Sequence, residues 1–341
     1  MTHHKLYFII ISCFLLISCK SQNPKPEKAK KLKALIIDGE NNHGIWPKST
    51  FMIKDYLEQT GLFEVEIARK HYLWVGPHYN KTQGKTNIEK LLEEFPLNDG
   101  RAREKVSEPK YDPNFKPDFS KYNVIVSNLG WKSSEFPEET KQNFENYMKN
   151  GGGLVVIHAA NNAWGDWHEF NKMIGLGGWG GRTVESGPYV YYNEVDTLVK
   201  DPSDGICASH GPQHNYTLTT RAPEHPIMKG LPKQWLHAKD ELYERMRGPA
   251  ENMTILATAF SDTIHSPKMT NRHEPLLMAI EYGKGRTFHS ALGHMDYSME
   301  CVGFITTLQR GAEWAATGKV TQAVPKDFPL KDNVSTRTWQ P

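Results

Sequence analysis

The stretch GGGLVVIHAA, residues 151–160, constrains the fold of this chain more than any other part of the sequence. Its residues 154–157 form a continuous aliphatic and β-branched run, which is typical of a strand covered on both faces in a parallel sheet. His158 comes directly after this run. The stretch therefore predicts an α/β fold in which a histidine lies at the carboxyl end of a buried strand, where open parallel sheets bind their ligands.

Strand and helix patterns alternate before this stretch and become more varied after it. Ahead of it, the sequence predicts strands at 33–39, 63–70 and 122–129 and helices at 49–59 and 138–150. This order favours a parallel sheet with right-handed crossovers. After His158 it predicts a helix at 167–176, short strands at 189–193, 215–221, 253–260, 276–282 and 287–291, and a last helix at 303–317 closed by Gly318. We expect a mostly parallel sheet flanked by helices, with an elaborated, mixed second half.

The first residues of the chain resemble an export signal. An apolar run at 6–18 follows a weakly basic start and is too short to span a bilayer as a stable helix. LISC at 16–19 matches the bacterial lipobox, so we expect residues 1–18 to be a lipoprotein signal peptide and Cys19 to be lipidated. The alternative is an ordinary secretory peptide, although such cleavage sites prefer Ala-x-Ala. The protein is thus expected in the cell envelope, at the periplasmic face or the outer membrane, attached to the membrane through a lipid anchor only.

Composition divides the rest of the chain and excludes one class of partner. Residues 19–32 read as a flexible tether, 33–320 as one domain and 321–341 as a C-terminal tail. The polar, proline-dotted segment 71–120, with a helix at 87–95, is expected to be an insertion. Because the 41 Lys and Arg residues are nearly balanced by 39 Asp and Glu residues, no strong attraction to nucleic acid is expected. The sequence gives no oligomeric state, and it leaves open whether Cys207 and Cys301 are paired or free.

Polar and aromatic side chains follow several of the predicted strands. The carboxyl ends of parallel strands meet at one edge of a sheet, so these side chains are expected to form a small-molecule pocket. The predicted substrate-binding residues are Asn41, His43, Trp131, Asn161, Asn162 and Trp164. Trp167 and Trp179 are further candidates for stacking on a sugar, although tryptophans at helix starts more often belong to the core. Each histidine, taken singly, is equally consistent with a core residue bonded to a backbone carbonyl.

The predicted catalytic residues are His158, His294, Asp240 and Glu241. Imidazoles at strand ends serve as acid/base groups or as ligands of a divalent metal such as zinc, so His158 and His294 are also predicted metal ligands. The residues that could complete such a ligand set are Asp240, Glu241, His168, His210 and His214. Asp240 and Glu241 are adjacent and would point to opposite sides of a strand, so only one is expected to face the pocket. That carboxylate would act as general base, metal ligand or acceptor for a sugar hydroxyl; a solvated acidic turn is the alternative. No HExxH or paired CxxC motif is present.

Taken together, the motifs resemble those of the ThuA-like family, named for trehalose utilisation, over about residues 33–318. The matching pieces are ALIIDG at 34–39, GGGLVVIHAA at 151–160, EHPIMKGLP at 224–232, DELY at 240–243, YGKGR at 282–286 and LGH at 292–294. The resemblance implies a flavodoxin-like, class I glutamine amidotransferase-like fold and a role in carbohydrate catabolism. It does not imply glutamine hydrolysis, because the amidotransferases carry a catalytic cysteine where this chain has His158.

Two functions follow as hypotheses from this resemblance and from the candidate residues. The first is a carbohydrate-processing lipoprotein that acts on a sugar or a keto-sugar or glycoside, by hydrolysis, isomerisation or elimination, through histidine acid/base or metal-assisted chemistry. The second is a non-catalytic carbohydrate-binding lipoprotein, which needs the pocket but no acid or base.

Overall fold

Strands with aliphatic runs at residues 32–38, 124–127 and 153–157 lie side by side in the centre of the fold. The computed structural model describes residues 1–3, 30–76 and 88–341. Lys31–Pro341 is a compact unit. Most of the predicted signal peptide, Cys19 and most of the tether lie outside the described residues. Within the described part of the chain, no helix is long and apolar enough to cross a membrane.

Five strands form the parallel half of an 11-stranded sheet. In spatial order they are β2 (Phe63–Arg69), β1 (Leu32–Asp38), β5 (Val124–Ser127), β6 (Gly153–Ile157) and β15 (Gly285–Ser290). All four neighbouring pairs are parallel. Their carboxyl ends therefore open onto the same rim of the sheet.

The second half of the chain extends this sheet with antiparallel strands. Beyond β15 come β14 (His273–Tyr282), β13 (Met253–Phe260), β10 (His214–Thr220) and β11 (Gln234–Asp240), and the hairpin of β7 (Tyr189–Tyr192) and β8 (Leu198–Asp201) joins at β14. Two small sheets pair β3 (Tyr72–Trp74) with β4 (Glu104–Val106) and β9 (Ser209–His210) with β12 (Tyr243–Glu244). This is the mixed second half that the sequence predicts.

Helices cover both faces of the sheet and account for the aliphatic run at residues 154–157. In the described residues they are α1 (Trp46–Glu58), α2 (Ile88–Glu94), α3 (Glu138–Lys149), α4 (His168–Ile174), α5 (Asp296–Met299) and α6 (Val302–Thr317). Val155 and Ile157 belong to the same apolar cluster as residues of α1 and α6. Leu154 and Val156 belong to a second cluster with residues of α3 and α4. Strand β6 is thus buried on both faces, and the predicted fold class is confirmed.

Two regions differ from the sequence-based expectations or extend them. The edge strand β11 was not predicted, because the segment QWLHAKD mixes apolar and charged residues. In the structure the C-terminal tail pairs with this edge: the Leu330 carbonyl accepts a hydrogen bond from the Leu236 N–H at 2.9 Å. The described parts of the segment 71–120 contain β3, α2 and β4. The assignment of that segment as an insertion stays a prediction.

Candidate active site

Histidines from two neighbouring parallel strands meet at the rim of the sheet. His158 follows β6 directly, and His294 lies four residues after the end of β15. Because Ile157 and Ser290 are register partners, the two loops leave the sheet side by side. The His158 Nε2 and His294 Nδ1 atoms are 3.2 Å apart, and both residues are buried. The structure therefore brings together the two imidazoles on which the sequence-based hypothesis depends.

His158 is held in an uncommon backbone conformation. Its φ of 45° lies in the left-handed region, where a residue with a Cβ is strained by about 1 kcal/mol or more. The sharp turn from β6 into residues His158–Asn162 requires this conformation. The His158 Nδ1 atom lies 2.8 Å from the carbonyl oxygen of Ala291, which only accepts, so Nδ1 carries a proton and donates. Nε2 is left to face the site.

Asp240 builds the turn that presents His294. Its buried carboxylate accepts the backbone N–H of Gly293 at 2.8 Å and that of His294 at 3.0 Å. Gly293 has a φ of 105°, which favours glycine. The same carboxylate accepts a hydrogen bond from His237 Nε2 at 2.9 Å. Asp240 was predicted as catalytic; in the structure both of its oxygens accept N–H groups of the protein, and it positions the neighbouring turn.

Glu241 is the one of the two adjacent carboxylates that faces the histidines. Its Oε2 atom lies 3.1 Å from His294 Nδ1 and 3.6 Å from His158 Nε2. Burial by itself raises the pKa of Glu241, but the hydrogen bonds and charges of His158 and His294 outweigh it and hold that pKa far below its ordinary value. Glu241 is therefore an anion at neutral pH.

His43 completes the cluster from the loop after β1. Its ring contacts those of His294 and His158 edge-on, with centroid distances of 4.5 and 4.9 Å. Its Nδ1 atom donates to Asn41 Oδ1 at 3.2 Å, so Nε2 carries a free lone pair. Burial, and then the neighbouring His294 and His158, lower the pKa of His43 well below its ordinary value. His43 is thus neutral at physiological pH, which is the form that binds metals.

These four side chains have the composition of a metal site. The ligand atoms of His43, His158, Glu241 and His294 all lie within 4.8 Å of one another, and all four residues are buried. Imidazole nitrogens and carboxylate oxygens are ligands of zinc and related divalent ions. Asn41 and Ala291 accept hydrogen bonds from the far nitrogens of two of the rings, as metal-binding histidines usually require. The donor set therefore fits a divalent metal, and it includes His43, which the sequence placed among the substrate-binding residues.

The cluster lies at the base of a pocket of about 580 Å³. The pocket is lined by Asn42, His43, Trp131, Asn162, Trp179, His210, Gln213, Glu241, Tyr243, His294, Met295 and Tyr297. Four of these residues are aromatic, and three carry carboxamides. Trp131 and Asn162 lie where the sequence predicts them, at the same pocket as the histidines.

Three predicted substrate-binding residues lie behind the pocket lining instead. Asn41 bonds to His43 and donates to the carbonyl of Leu129 at 2.9 Å. Asn161 is fully buried, with Nδ2 2.9 Å from His289 Nε2. Trp164 packs against the aromatic rings of Phe136, Trp167 and Phe170, and its indole donates to Ser134. None of these three residues is among those that line the pocket, so their role in substrate binding stays a prediction.

Two further pocket residues lie beside the cluster: Tyr243, which was not among the predicted site residues, and His210, which the sequence offered only as one of several further ligands. Tyr243 donates toward His158, and it follows Glu241 by two residues, a spacing that places both on one side of an extended segment. His210 has Nδ1 3.7 Å from Glu241 Oε1 and is partly exposed at the pocket. Its loop carries no periodic pattern that would have placed it.

Cys207 and Cys301 are both free thiols, which decides the question that the sequence left open.

Comparison with known proteins agrees with this architecture. A family model described as "ThuA: Trehalose utilisation" matches residues 33–315. A solved ThuA-like protein from Parabacteroides merdae is 42% identical, with a TM-score of 0.75 over 91% of this chain and 98% of that chain. A second ThuA-like protein, from Bacteroides uniformis, is 19% identical, with a TM-score of 0.50 over 88% of this chain and 96% of that chain, and supports the fold alone. None of the curated proteins compared is significantly similar in sequence. The chain belongs to the ThuA family of trehalose utilisation.

Proposed function

We propose that this protein is a metal-dependent carbohydrate-processing enzyme that acts on a sugar, a keto-sugar or a glycoside. The observation that carries the proposal is the convergence of three imidazoles and one carboxylate, His43, His158, His294 and Glu241, at the base of an aromatic pocket. The reaction is a hydrolysis, an isomerisation or an elimination, each of which needs proton transfer next to a hydroxyl or carbonyl group.

The charge state of the cluster favours a metal over a simple acid/base pair. Glu241 is an anion in a buried site, and the neutral His43 contributes no positive charge to balance it. A divalent ion such as zinc compensates that charge, and when bound it polarises a carbonyl or hydroxyl oxygen. His210, partly exposed beside Glu241, is then placed to exchange protons between the pocket and solvent.

The pocket lining favours an uncharged sugar. Trp131 and Trp179 offer flat apolar surfaces, and Asn42, Asn162 and Gln213 offer both donors and acceptors for hydroxyl groups. Among the described residues that line the pocket there is no Lys or Arg. Phosphorylated and acidic sugars usually require such cations, so a neutral saccharide fits better. The family's link to trehalose utilisation agrees with this choice.

Metal content and turnover test the proposal in sequence. Elemental analysis of purified wild type should find about one divalent metal per chain, and His158→Ala and His294→Ala should each lose it. His168→Ala, on the exposed side of α4, is the matched control and should keep it. Wild type is then incubated with trehalose, glucosides and their 3-keto derivatives, and the products are read by mass spectrometry. Binding without turnover of any of them would contradict the enzyme and support the carbohydrate-binding lipoprotein.

We also propose that the protein is attached to the envelope membrane through a lipid on Cys19. The LISC sequence at residues 16–19 supports this, and so does the tether-like composition that follows it. Labelled palmitate should enter the wild type and not Cys19→Ala. Equal labelling of both would refute the anchor.

A further inference from the structure

Tyr243 lies between the histidine cluster and the aromatic wall of the pocket. It is almost fully buried, yet it contributes to the pocket lining. Its ring contacts those of His158 and Trp179, at centroid distances of 4.3 and 4.9 Å. Its hydroxyl oxygen lies 2.9 Å from His158 Nε2. The phenol therefore has a fixed position next to one of the four metal-ligand candidates.

The hydrogen bond from Tyr243 and a metal ion compete for the same lone pair. The Ala291 carbonyl accepts a hydrogen bond from His158 Nδ1, so Nε2 is the atom whose lone pair a metal would use. The Tyr243 hydroxyl lies 2.9 Å from Nε2 and donates to that same lone pair when the ring is neutral. A cation held by the cluster would take that lone pair, and the Tyr243 proton would then need another acceptor.

Asn162 lies on the same wall of the pocket as Tyr243. Burial raises the pKa of Tyr243 well above its ordinary value, and the nearby Asn162 carboxamide acts in the opposite direction, as an N–H donor to the phenolic oxygen does. Asn162 Oδ1 has no hydrogen-bond partner among the described residues. The Tyr243 ring is held by His158 and Trp179, so its hydroxyl stays at the pocket wall.

We propose that Tyr243 is a hydrogen-bond donor which a bound divalent ion releases from His158, and which then donates to an oxygen atom of the bound sugar. This inference rests on the proposed metal centre. The hydroxyl keeps its proton throughout; it acts as a preorganised donor next to the metal, where negative charge would develop on a carbonyl or glycosidic oxygen. Tyr243 is then a catalytic residue and not a metal ligand.

Zinc affinity distinguishes a hydrogen-bond donor at Tyr243 from a metal ligand, and its measurement does not require that the protein be active. In Tyr243→Phe, Zn²⁺ no longer has to displace a hydrogen bond, so its affinity should equal that of the wild type or be up to about tenfold tighter. The matched control is Tyr56→Phe, a buried tyrosine whose hydroxyl has no hydrogen-bond partner among the described residues. It should leave the Zn²⁺ affinity unchanged. Competition with a chromophoric chelator measures all three proteins.

A weakening of Zn²⁺ affinity by more than tenfold in Tyr243→Phe would make the phenol a ligand and overturn the inference. A second measurement uses the wild type loaded with Cu²⁺, so that it does not depend on folding of the variant. A visible phenolate-to-copper charge-transfer band would likewise overturn the inference, and bound copper without that band supports it.

Turnover gives the third readout. With the 3-keto derivative of trehalose as probe, Tyr243→Phe should lower kcat by about 100-fold and leave KM within a few-fold, as expected for loss of one oxyanion donor. An unchanged kcat would contradict the proposed role. If the wild type itself binds no metal, the proposed metal centre fails as well; if it binds metal and only the Tyr243→Phe results disagree, the inference alone fails.

Discussion

Replacing Asp240 by Asn should destabilise the protein and loosen the metal site together. The two carboxylate oxygens accept four N–H groups: Oδ1 accepts those of Glu241 and His294, and Oδ2 accepts those of His237 and Gly293. An asparagine that keeps the first pair must turn its own NH₂ group toward the second pair. The buried N–H groups of His237 and Gly293 would then lie against the NH₂ group of the asparagine, which is also a donor.

The magnitude follows from these contacts. Burial alone lowers the pKa of His237, but Cys301 and the Asp240 carboxylate raise it to about 9, so Asp240→Asn also removes the partner of a buried cation. Leaving one member of a buried, hydrogen-bonded ion pair without its partner typically costs about 3–5 kcal/mol. Loss of the Gly293–His294 turn should in addition weaken Zn²⁺ binding by about 10–100-fold, the usual effect of removing a group that orients a ligand.

Urea denaturation at pH 7 measures the free energy of unfolding, and chelator competition measures the Zn²⁺ affinity. Asp332→Asn, in the exposed part of the C-terminal tail, makes the same change of charge and should alter the free energy of unfolding by less than about 0.5 kcal/mol. A loss of less than about 1 kcal/mol in Asp240→Asn, or an unchanged Zn²⁺ affinity, would refute the reasoning that this carboxylate builds the site.

Three further outcomes are expected. Burial lowers the pKa of His289 to about 4, so below about pH 6.5 the unfolded chain binds a proton at this residue that the folded protein does not. The free energy of unfolding should therefore fall by roughly 3 kcal/mol between pH 7 and pH 4. In urea titrations, His289→Gln should reduce this dependence on pH. Trp131→Ala should weaken the binding of a neutral sugar at least tenfold in calorimetry, whereas Trp164→Phe should leave it within twofold, since Trp131 lines the pocket and Trp164 does not; equal effects of the two changes would contradict the assignment of this pocket as the sugar site. Gly293→Ala should lower the free energy of unfolding by about 1–3 kcal/mol, because its φ is 105° and a Cβ there would lie 2.8 Å from the Phe304 ring, and an unchanged melting temperature would contradict this.

Much of the parallel half of the fold was accessible from the sequence. The run at 154–157 predicted a strand buried on both faces, and its side chains alternate between two apolar clusters as that requires. The helix at 303–317 and its end at Gly318 were predicted from periodicity and a C-terminal glycine, and the structure has this helix at Val302–Thr317 with a φ of 75° at Gly318. Such features depend on neighbouring residues only, which is why a local pattern reveals them.

The candidate site was accessible only in part, for the same reason. His158 and His294 were identified because each comes at the end of a strand. Three other assignments depended on contacts between distant segments. His43 joins the ligand set because its loop lies beside the other strand ends. Asp240 and Trp164 form hydrogen bonds with residues that are far away in the sequence. Periodicity carries no information on such pairings.

The amino-acid sequence by itself determined the α/β class, the family and the placement of histidines at two strand ends, because hydrophobic periodicity and local motifs encode strands, helices and where each one stops. Only the tertiary structure decided that β6 and β15 are parallel neighbours, that four side chains from separate loops share one cluster, and that Glu241 faces it while Asp240 lies behind it. Those outcomes follow from strand order and register, which are set by how the whole core packs and not by any single segment.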